Sequence, residues 1–298
     1  MAGRQFAYDE AFARNIGWVT EAEQGALRRK RVAIAGMGGV GGSHLLTLAR
    51  LGIGAFNIAD FDTFDLVNFN RQAGALVSTL GLPKVDVLAG MARDINPECD
   101  LRQFPLGVSI ENIDDFLRGV DLYVDALDFF AFQARREVFA ACHRLRIPAV
   151  TAAPLGIGAA VLVFLPGRMS FEEYFCFEGC DEEEMAIRFL LGLSPAMLQL
   201  GYLADPTRVN LAERRGPSTV AACQLCAGVT ATEALKILLE RDGVRAAPHG
   251  YQFDAYRNRL VRTWRPGGNR NPVQRIALWI ARRQLNRMKM NGAADGRS

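Results

Sequence analysis

Short apolar runs alternate, along the first half of the chain, with longer segments in which apolar residues recur three and four positions apart, as in amphipathic helices. The predicted strands are Arg31–Ala35, Ala55–Ala59, Asp100–Phe104, Leu122–Asp125, Ala149–Ala152 and Ala159–Phe164. The predicted helices are Gly41–Leu51, Lys84–Ile95, Ile113–Leu117 and Phe132–Leu145. This alternation predicts an α/β, Rossmann-like fold in which helices cover both faces of a mostly parallel sheet.

Changes in pattern divide the chain into three predicted segments. They are an N-terminal arm and helix at residues 1–30, a main domain at residues 31–265, and a basic tail at residues 266–298. Thr20 and Glu23 form a capping box that opens the helix of the arm. The tail is predicted to be a solvated helix or a dimer contact, in preference to a membrane-surface helix.

The later part of the main domain departs from the strand and helix alternation. Residues 169–222 are first acidic and then rich in turn residues, which predicts an insertion near the ligand edge of the sheet. A late helix is predicted at Gln224–Glu240, and two strands are predicted to turn around Ala255–Asn258.

Composition narrows the range of partners. The chain has 298 residues and a formal net charge of +3, which is too small an excess to indicate nucleic acid as the main partner. The apolar run Ile157 to Leu165 is too short to span a bilayer, and the first residues lack an apolar signal segment. A cytoplasmic location is the default expectation, and the six cysteines favour reduced thiols or a metal site over disulfides.

The stretch "VAIAGMGGVGGSHLL" leads from an apolar strand through glycines into a helix. Gly36, Gly38 and Gly41 fit G-x-G-x-x-G, Gly39 lies within the loop, and Asp60 closes the next apolar run. Such glycines let backbone approach phosphate at a helix N-terminus, and the acid suits ribose hydroxyls. These features predict a nucleotide site, but they fit ATP and NAD equally well.

Polar residues after the second strand favour ATP over NAD. The edge that carries the glycines is also expected to receive Asn68, Arg71, Gln72 and Lys84. Cations at this edge suit a triphosphate. Asp125 and Asp128 end another strand at the carboxyl edge, where ligands of open α/β sheets bind. A carboxylate beside a triphosphate is a natural Mg²⁺ ligand.

The chain resembles the ThiF/MoeB/HesA adenylating enzymes, which share their core with ubiquitin-activating enzymes. The resemblance runs from Phe12 to Leu260 and is carried by "ARNIG", "AIAGMGGVGGSHL", "IADFDTFDLVNFNRQ", "LPKVDVLAGMARDINP", "VDALD" and "ATEALKILL". Each motif is modest alone, but their shared order and spacing are specific. The main domain is therefore expected to be a ThiF-type adenylation domain.

The resemblance assigns roles to particular residues. It implies that the loop Gly36–Gly42 holds the ATP phosphates and that Asp60 binds the ribose. Phosphate contacts are implied for Asn68, Arg71 and Lys84, an action through Mg²⁺ is implied for Asp128, and insertion into the ATP site of a second subunit is implied for Arg14. The role of Arg14 requires a homodimer.

The expected reaction is attack of a substrate carboxylate on the α-phosphate of ATP, giving an acyl adenylate and pyrophosphate. The expected acceptor is the C-terminus of a small ubiquitin-like or sulfur-carrier protein, or of a peptide. ATP-dependent activation or dehydration of a small molecule or an RNA-borne carboxylate is the alternative. An NAD-dependent oxidoreductase or a non-catalytic nucleotide-binding scaffold explains fewer of the residues.

The cysteines depart from the family pattern. Cys176, Cys180, Cys223 and Cys226 form two pairs that could make a tetrahedral zinc site, although buried structural thiols are the favoured interpretation. A catalytic thiol among Cys176, Cys180 and Cys223 is suggested by region only. Phe129 and Phe130, which follow Asp128, indicate an unusually apolar acceptor edge.

Overall fold

A computed structural model describes residues 5–209 and 216–295, with the side chains of residues 286–295 left out of the description. Its eight strands are β1 (Arg31–Ala35), β2 (Ala55–Ala59), β3 (Asp100–Phe104), β4 (Leu122–Asp125), β5 (Ala149–Leu155), β6 (Gly158–Phe164), β7 (His249–Asp254) and β8 (Arg259–Trp264). They form one sheet in the order β3-β2-β1-β4-β5-β6-β7-β8.

The sheet has two parts of different direction. Strands β1 to β5 pair in parallel and form the parallel half, whereas β6, β7 and β8 pair antiparallel and form the antiparallel half. The strand order reverses between β1 and β4, which is where open α/β sheets bind ligands. The predicted Rossmann-like, mostly parallel sheet is confirmed.

The helices lie between and around these strands. They are α1 (Tyr8–Ala11), α2 (Glu21–Leu27), α3 (Gly39–Arg50), α4 (Lys84–Ile95), α5 (Ile113–Phe116), α6 (Phe132–Leu145), α7 (Phe171–Phe175), α8 (Glu182–Leu193), α9 (Val220–Leu238) and α10 (Pro272–Asp295). Thr20 caps α2 in the predicted box with Glu23.

Side chains alternate between two cores, one on each face of the sheet. On β1, Val32 and Ile34 enter a core with α3, α4 and α9, whereas Ala33 and Ala35 enter the opposite core with α5, α6, α7 and α8. Helices therefore cover both faces, as the apolar strands predict.

The late helix α9 is long and apolar enough to meet the length and composition criteria of a membrane span, and it is the one such helix among the described residues. It packs on α3 and on strands β5 and β6, and Cys226, Ala231 and Ala234 enter the core. Its apolar character is thus explained by burial inside the fold. It begins before the predicted Gln224 because the side chain of Thr219 accepts a hydrogen bond from the N–H of Ala222.

The predicted insertion consists of α7, α8 and two short 3-10 turns, and residues 210–215 lie outside the described residues. Its last residues reach the carboxyl edge of the sheet. The Thr219 hydroxyl donates to the carbonyl of Gly156 at 3.2 Å, and the Asn70 amide donates to the carbonyl of Ser218 at 3.0 Å. The insertion therefore borders the ligand edge, as predicted. The basic tail forms α10, which packs on α8.

Candidate nucleotide site

The glycine loop follows β1 at the point where the strand order reverses. Gly36 has a φ of +93°, and a Cβ on it would overlap the backbone carbonyl of Ala126, which follows β4. A Cβ on Gly41 would overlap the carbonyl of Gly36. Only glycine fits these two positions, because backbone occupies the space that a side chain needs.

Helix α3 begins directly after Gly38, its N-cap residue, so its first turn faces the same edge. The first N–H groups of a helix have no acceptor within the helix and attract anions. Gly39 keeps this turn open, because a Cβ there would lie only 3.1 Å from the Cys223 sulfur and 3.6 Å from Cγ of Arg71. The loop therefore presents, at the edge of the sheet, N–H donors that have no acceptor within α3.

Asp60 braces the glycine loop from the neighbouring strand. One of its carboxylate oxygens accepts from the N–H of Met37 at 2.6 Å, and the other accepts from the N–H of Asp62 at 2.8 Å. Each carboxylate oxygen has a second acceptor position, so the implied ribose contact remains compatible with this geometry. The structure adds a supporting role that the glycine motif alone does not reveal.

Arg71 lies over the first turn of α3. Its guanidinium donates to the carbonyl of Val67 at 3.0 Å and to the side chain of Asn70 at 2.9 Å. These two contacts hold the guanidinium beside the glycine loop. Its position is the one that the phosphate-binding prediction requires.

Asn68 and Gln72 are both buried near Arg71, with 8% of each residue exposed. The Asn68 side-chain oxygen accepts from the N–H of Asp65 at 3.0 Å, so only its amide N–H groups remain to donate to a phosphate. The Gln72 nitrogen lies 3.7 Å from the position of a Cβ on Gly38, and its oxygen has no partner among the described residues. Gln72 therefore lies beside the glycine loop with a free side-chain oxygen, at the edge where the sequence places it.

Lys84 is the first residue of α4, and its ammonium is almost completely buried. It contacts the Asp62 carboxylate at 3.0 Å, and its backbone N–H donates to the carbonyl of Asp62 at 2.9 Å. The Asp62 side chain itself is 55% exposed. Asp62, which the sequence did not single out, therefore fixes Lys84 near the edge, and it links Lys84 through Asp60 to the glycine loop.

The two acidic residues after β4 have different environments. Asp125 is buried and accepts from Arg135 at 2.8 Å and from Thr151 at 2.9 Å, so it is committed to the interior. Asp128 is exposed, and one of its oxygens accepts from the N–H of Phe130 at 2.9 Å. The other oxygen accepts nothing from the described part of the chain. An exposed carboxylate oxygen next to the glycine loop fits a Mg²⁺ ligand.

Arg14 does not reach the glycine loop of its own chain. It is exposed in the 3-10 turn Ala13–Asn15. The side-chain amide of Asn15, the last residue of this turn, donates to the carbonyl of Arg50 at 3.4 Å. Arg50 ends α3, and the 12-residue helix places it about 16 Å from Gly39. Any action of Arg14 on an ATP site therefore requires a second subunit.

The four cysteines of the possible zinc site are not brought together, and that expectation is corrected. Cys223 and Cys226 lie on α9, with Cys226 in the core of one face, whereas Cys176 and Cys180 follow α7, whose residues enter the opposite core. The described residues contain no group of three or more His, Cys, Asp or Glu that could hold a metal. The sheet separates the two pairs.

The thiols also lack the features of activated nucleophiles. Burial raises the pKa of Cys176, of Cys180 and of Cys223. At Cys223 this rise is partly offset by a hydrogen bond with Ser218 and by the charge of Arg71. Cys223 nevertheless lies against Gly39, so it forms part of the floor beneath the glycine loop.

Comparison with known proteins places this geometry in a family. The sequence model of the ThiF family matches residues 12–275. The chain is 34% identical over 141 residues to the tRNA threonylcarbamoyladenosine dehydratase of Bacillus subtilis, covering 47% of this chain and 55% of that protein. It is 32% identical over 143 residues to the sulfur carrier protein ThiS adenylyltransferase of Escherichia coli, covering 48% and 56%.

A solved structure shares the fold. The crystal structure of Escherichia coli MccB with MccA-N7isoASN matches with a TM-score of 0.65 at 18% identity, covering 87% of this chain and 72% of that chain. The sequence alignments span about half the length of the two curated relatives. The family match, by contrast, extends over nearly the whole chain, from the N-terminal arm into α10. The chain therefore belongs to the ThiF family.

Proposed function

We propose that this chain is an ATP-dependent adenylyltransferase that activates a carboxylate. The observation that carries the proposal is the convergence of three features at one sheet edge: the open first turn of α3, Arg71 over that turn, and the buried ammonium of Lys84. Backbone N–H groups are sufficient to bind the pyrophosphate of NAD, whereas the more highly charged triphosphate of ATP also interacts with Arg71 and Lys84.

The reaction follows from charge. A carboxylate oxygen of the acceptor attacks the α-phosphorus, the bond to the bridging oxygen breaks, and pyrophosphate leaves with that electron pair. A carboxylate is already ionised at neutral pH, so this step needs no general base. Arg71 and Lys84 stabilise the charge that develops on the phosphates. Asp128 would hold Mg²⁺, which would supply positive charge to the phosphates.

The proposed acceptor is the C-terminal carboxylate of a small carrier protein or peptide. The ThiS adenylyltransferase among the relatives is named for a sulfur carrier protein. The alternative is a carboxylate on tRNA, which is favoured by the similarity to the tRNA threonylcarbamoyladenosine dehydratase. The net charge of +3 is too small to indicate RNA by itself.

One assay separates these possibilities. ATP–pyrophosphate exchange is measured with purified small proteins that end in Gly-Gly, with peptides, and with tRNA that carries threonylcarbamoyladenosine. Exchange that depends on a protein or peptide supports the first acceptor, and exchange that depends on tRNA supports the second. Calorimetry with NAD and with Mg·ATP provides the wider test, because tighter binding of NAD would contradict the adenylyltransferase proposal.

A homodimer is the proposed assembly, because Arg14 lies far from the glycine loop of its own chain. Large apolar side chains are exposed around the arm and the segment after β2, including Trp18, Leu66, Val67 and Val77, with exposures of 86%, 66%, 69% and 86%. Exposed apolar groups on this scale suit a surface that another subunit covers.

The dimer is tested by mixing two variants. Arg14→Ala and Lys84→Ala would each be inactive alone, but a mixed dimer would contain one intact site. Random mixing is expected to restore about a quarter of the wild-type exchange rate. No recovery after subunit exchange, verified by a tag on one variant, would exclude Arg14 from the partner's site.

The absence of disulfides among the six cysteines, all of which lie in the described residues, agrees with the proposed action in the cytoplasm. All six cysteines are free, although Cys223 and Cys226 lie within one turn of α9. Free thiols and ATP are both characteristic of that compartment.

A further inference from the structure

Arg135 is a completely buried arginine on α6 that the nucleotide site described above does not use. Its side chain and that of its partner Asp125 are each only 2% exposed. Burying a charge is costly unless the charge is paired and its hydrogen bonds are satisfied. The contacts of Arg135 therefore indicate what this buried charge is holding in place.

The guanidinium of Arg135 binds the turn that follows β4. Its Nε donates to Asp125 at 2.8 Å, Nη2 donates to the carbonyls of Leu127 and Asp128 at 2.8 and 2.9 Å, and Nη1 donates to the carbonyl of Phe129 at 3.2 Å. One rigid, planar cation thus fixes three consecutive peptide groups, which a lysine could not do.

Two further contacts fix the guanidinium itself. Its carbon lies 4.5 Å from the centre of the Phe189 ring, a residue of α8. Asp125, the anion that binds Nε, also accepts from the hydroxyl of Thr151 on β5. The guanidinium is therefore held by an aromatic face and by a carboxylate that is anchored on the neighbouring strand.

The turn held by Arg135 is the one that carries Asp128, and it touches the glycine loop. Ala126, just before the turn, is the residue whose carbonyl leaves no room for a Cβ on Gly36. The Asp128 side chain extends from the middle of the turn and is exposed. Three carbonyl dipoles that converge on one point repel one another unless a cation lies between them.

We propose that Arg135 is a positioning residue that fixes the Asp128 carboxylate toward the metal and phosphates of the bound nucleotide. This proposal rests on the adenylyltransferase function proposed above. Arg135 touches neither nucleotide nor acceptor, and its effect passes entirely through the turn from Leu127 to Phe129. The sequence alone gave it no role, because an arginine on the first turns of a helix usually lies in solvent.

A double-mutant cycle tests this role. Arg135→Lys keeps the charge beside Asp125 but loses the planar contacts to the carbonyls, and it is expected to lower ATP–pyrophosphate exchange by about 10–100-fold. In an Asp128→Asn background, Arg135→Lys is expected to change the rate by less than about twofold, because the carboxylate it positions is absent. Arg136→Lys, at the half-exposed neighbour paired with Glu172, is the matched control and should leave exchange unchanged.

Folding is checked separately, because Arg135 is buried. If Arg135→Lys does not fold, Thr151→Val replaces it in the cycle. This nearly isosteric change removes one hydrogen bond to Asp125 and is expected to lower exchange by about threefold, with the effect again lost in the Asp128→Asn background. Equal losses in both backgrounds would show that Arg135 only stabilises the fold, and they would overturn the proposal.

Calorimetry distinguishes failure of this proposal from failure of the proposed function. The affinities for Mg·ATP and for metal-free ATP are measured for the wild type, Asp128→Asn and Arg135→Lys. Both variants are expected to lose the preference for Mg·ATP while they keep the affinity for metal-free ATP. This readout holds even if the wild type catalyses no exchange. A wild type without that preference, or an Arg135→Lys variant that retains it, would refute the positioning role.

Discussion

At the carboxyl edge of the sheet, polar side chains of the parallel half and of the antiparallel half differ in whether they have hydrogen-bond partners within the protein. In the parallel half, Gln72 keeps an unpaired oxygen and Asp128 keeps an unpaired carboxylate oxygen among the described residues. In the antiparallel half, several described polar groups at this edge pair with one another. The Tyr202 hydroxyl donates to Asp254 at 2.6 Å and accepts from the N–H of Ile157 at 2.7 Å.

This difference indicates that the parallel half binds the ligand and that the antiparallel half stabilises the fold. Unused donors and acceptors in the parallel half are available to a charged ligand, whereas the paired groups of the antiparallel half hold the insertion against the sheet. Ser194 and Gln252 form a second such pair, at 2.7 Å. Substitutions in the first region should therefore change the chemistry, and those in the second should change stability.

The largest effect is expected at Lys84 and Asp128. Lys84→Ala or Asp128→Ala should lower ATP–pyrophosphate exchange by about 10²–10³-fold, because each removes a charge from the developing transition state. Circular dichroism should show an intact fold. Lys30→Ala, which breaks the ion pair with Asp121 away from this edge, serves as the control. If both site variants kept the wild-type rate of ATP–pyrophosphate exchange, the parallel half could no longer be assigned the chemistry.

A backbone change in the glycine loop should abolish nucleotide binding. Gly36→Ala places a Cβ on the carbonyl of Ala126 and forces a residue into a φ of +93°, so the loop must move. ATP affinity is measured by calorimetry. Gly90→Ala is the matched control, because nothing lies near its Cβ on α4, and it should raise stability by roughly 0.5–1 kcal/mol. Normal ATP affinity in Gly36→Ala would show that the close approach is not needed.

Tyr202→Phe should affect stability but not nucleotide affinity. It removes one partner from the buried carboxylate of Asp254 and leaves the N–H of Ile157 unpaired, at a cost of about 1–3 kcal/mol. Urea unfolding measures the loss. Tyr256→Phe, at the exposed tyrosine stacked on Tyr202, should have little effect. If Tyr202→Phe lowered ATP affinity and left stability unchanged, the antiparallel half would have to be assigned to ligand binding instead of stability.

The smallest effect concerns pH and the buried His44 of α3. Burial lowers the pKa of His44 to about 3, and its two ring nitrogens have no hydrogen-bond partner in the part of the chain that the structure describes. The unfolded chain, with a pKa of about 6.5, binds the extra proton first, so stability falls as pH falls below about 6.5. The free energy of unfolding should drop by about 1 kcal/mol between about pH 7 and pH 5.5.

The matched variants for this prediction are His44→Leu and His143→Gln. His44→Leu should remove most of the loss, whereas His143→Gln, at an exposed position on α6, should leave it in place. Urea unfolding at both pH values measures the difference. An unchanged loss in His44→Leu would assign the pH sensitivity to another group.

Local features of the site could be predicted from the sequence. Strands β1 to β4 and helix α4 have the predicted limits, because their apolar periodicity and flanking turns are encoded locally. Arg71 and Lys84 were predicted near the glycines because β1 and β2 are adjacent and both end at the carboxyl edge. β5 was predicted to end at Ala152, but pairing with β6 extends it to Leu155, which a local pattern does not show.

Contacts between distant residues could not be predicted. The sequence placed Asp125 and Asp128 together, and only the buried Arg135 shows that Asp125 is unavailable to a ligand. The two cysteine pairs looked compatible with one zinc site, because spacing along the chain does not reveal which face of a sheet a segment covers. Asp62 acquires a role only through its three-dimensional neighbours, Lys84 and Asp60.

The packing of α9 against α3 also affects how the protein is made. Gln224 on α9 donates to Ser43 on α3, a contact that joins residues 181 positions apart. At typical translation speeds, the ribosome needs roughly 10–40 s to synthesise the chain between them. The glycine loop therefore emerges long before Cys223 and α9 arrive to support it. During this interval α3 exposes apolar surface to solvent, so a chain released early lacks the floor of its nucleotide site.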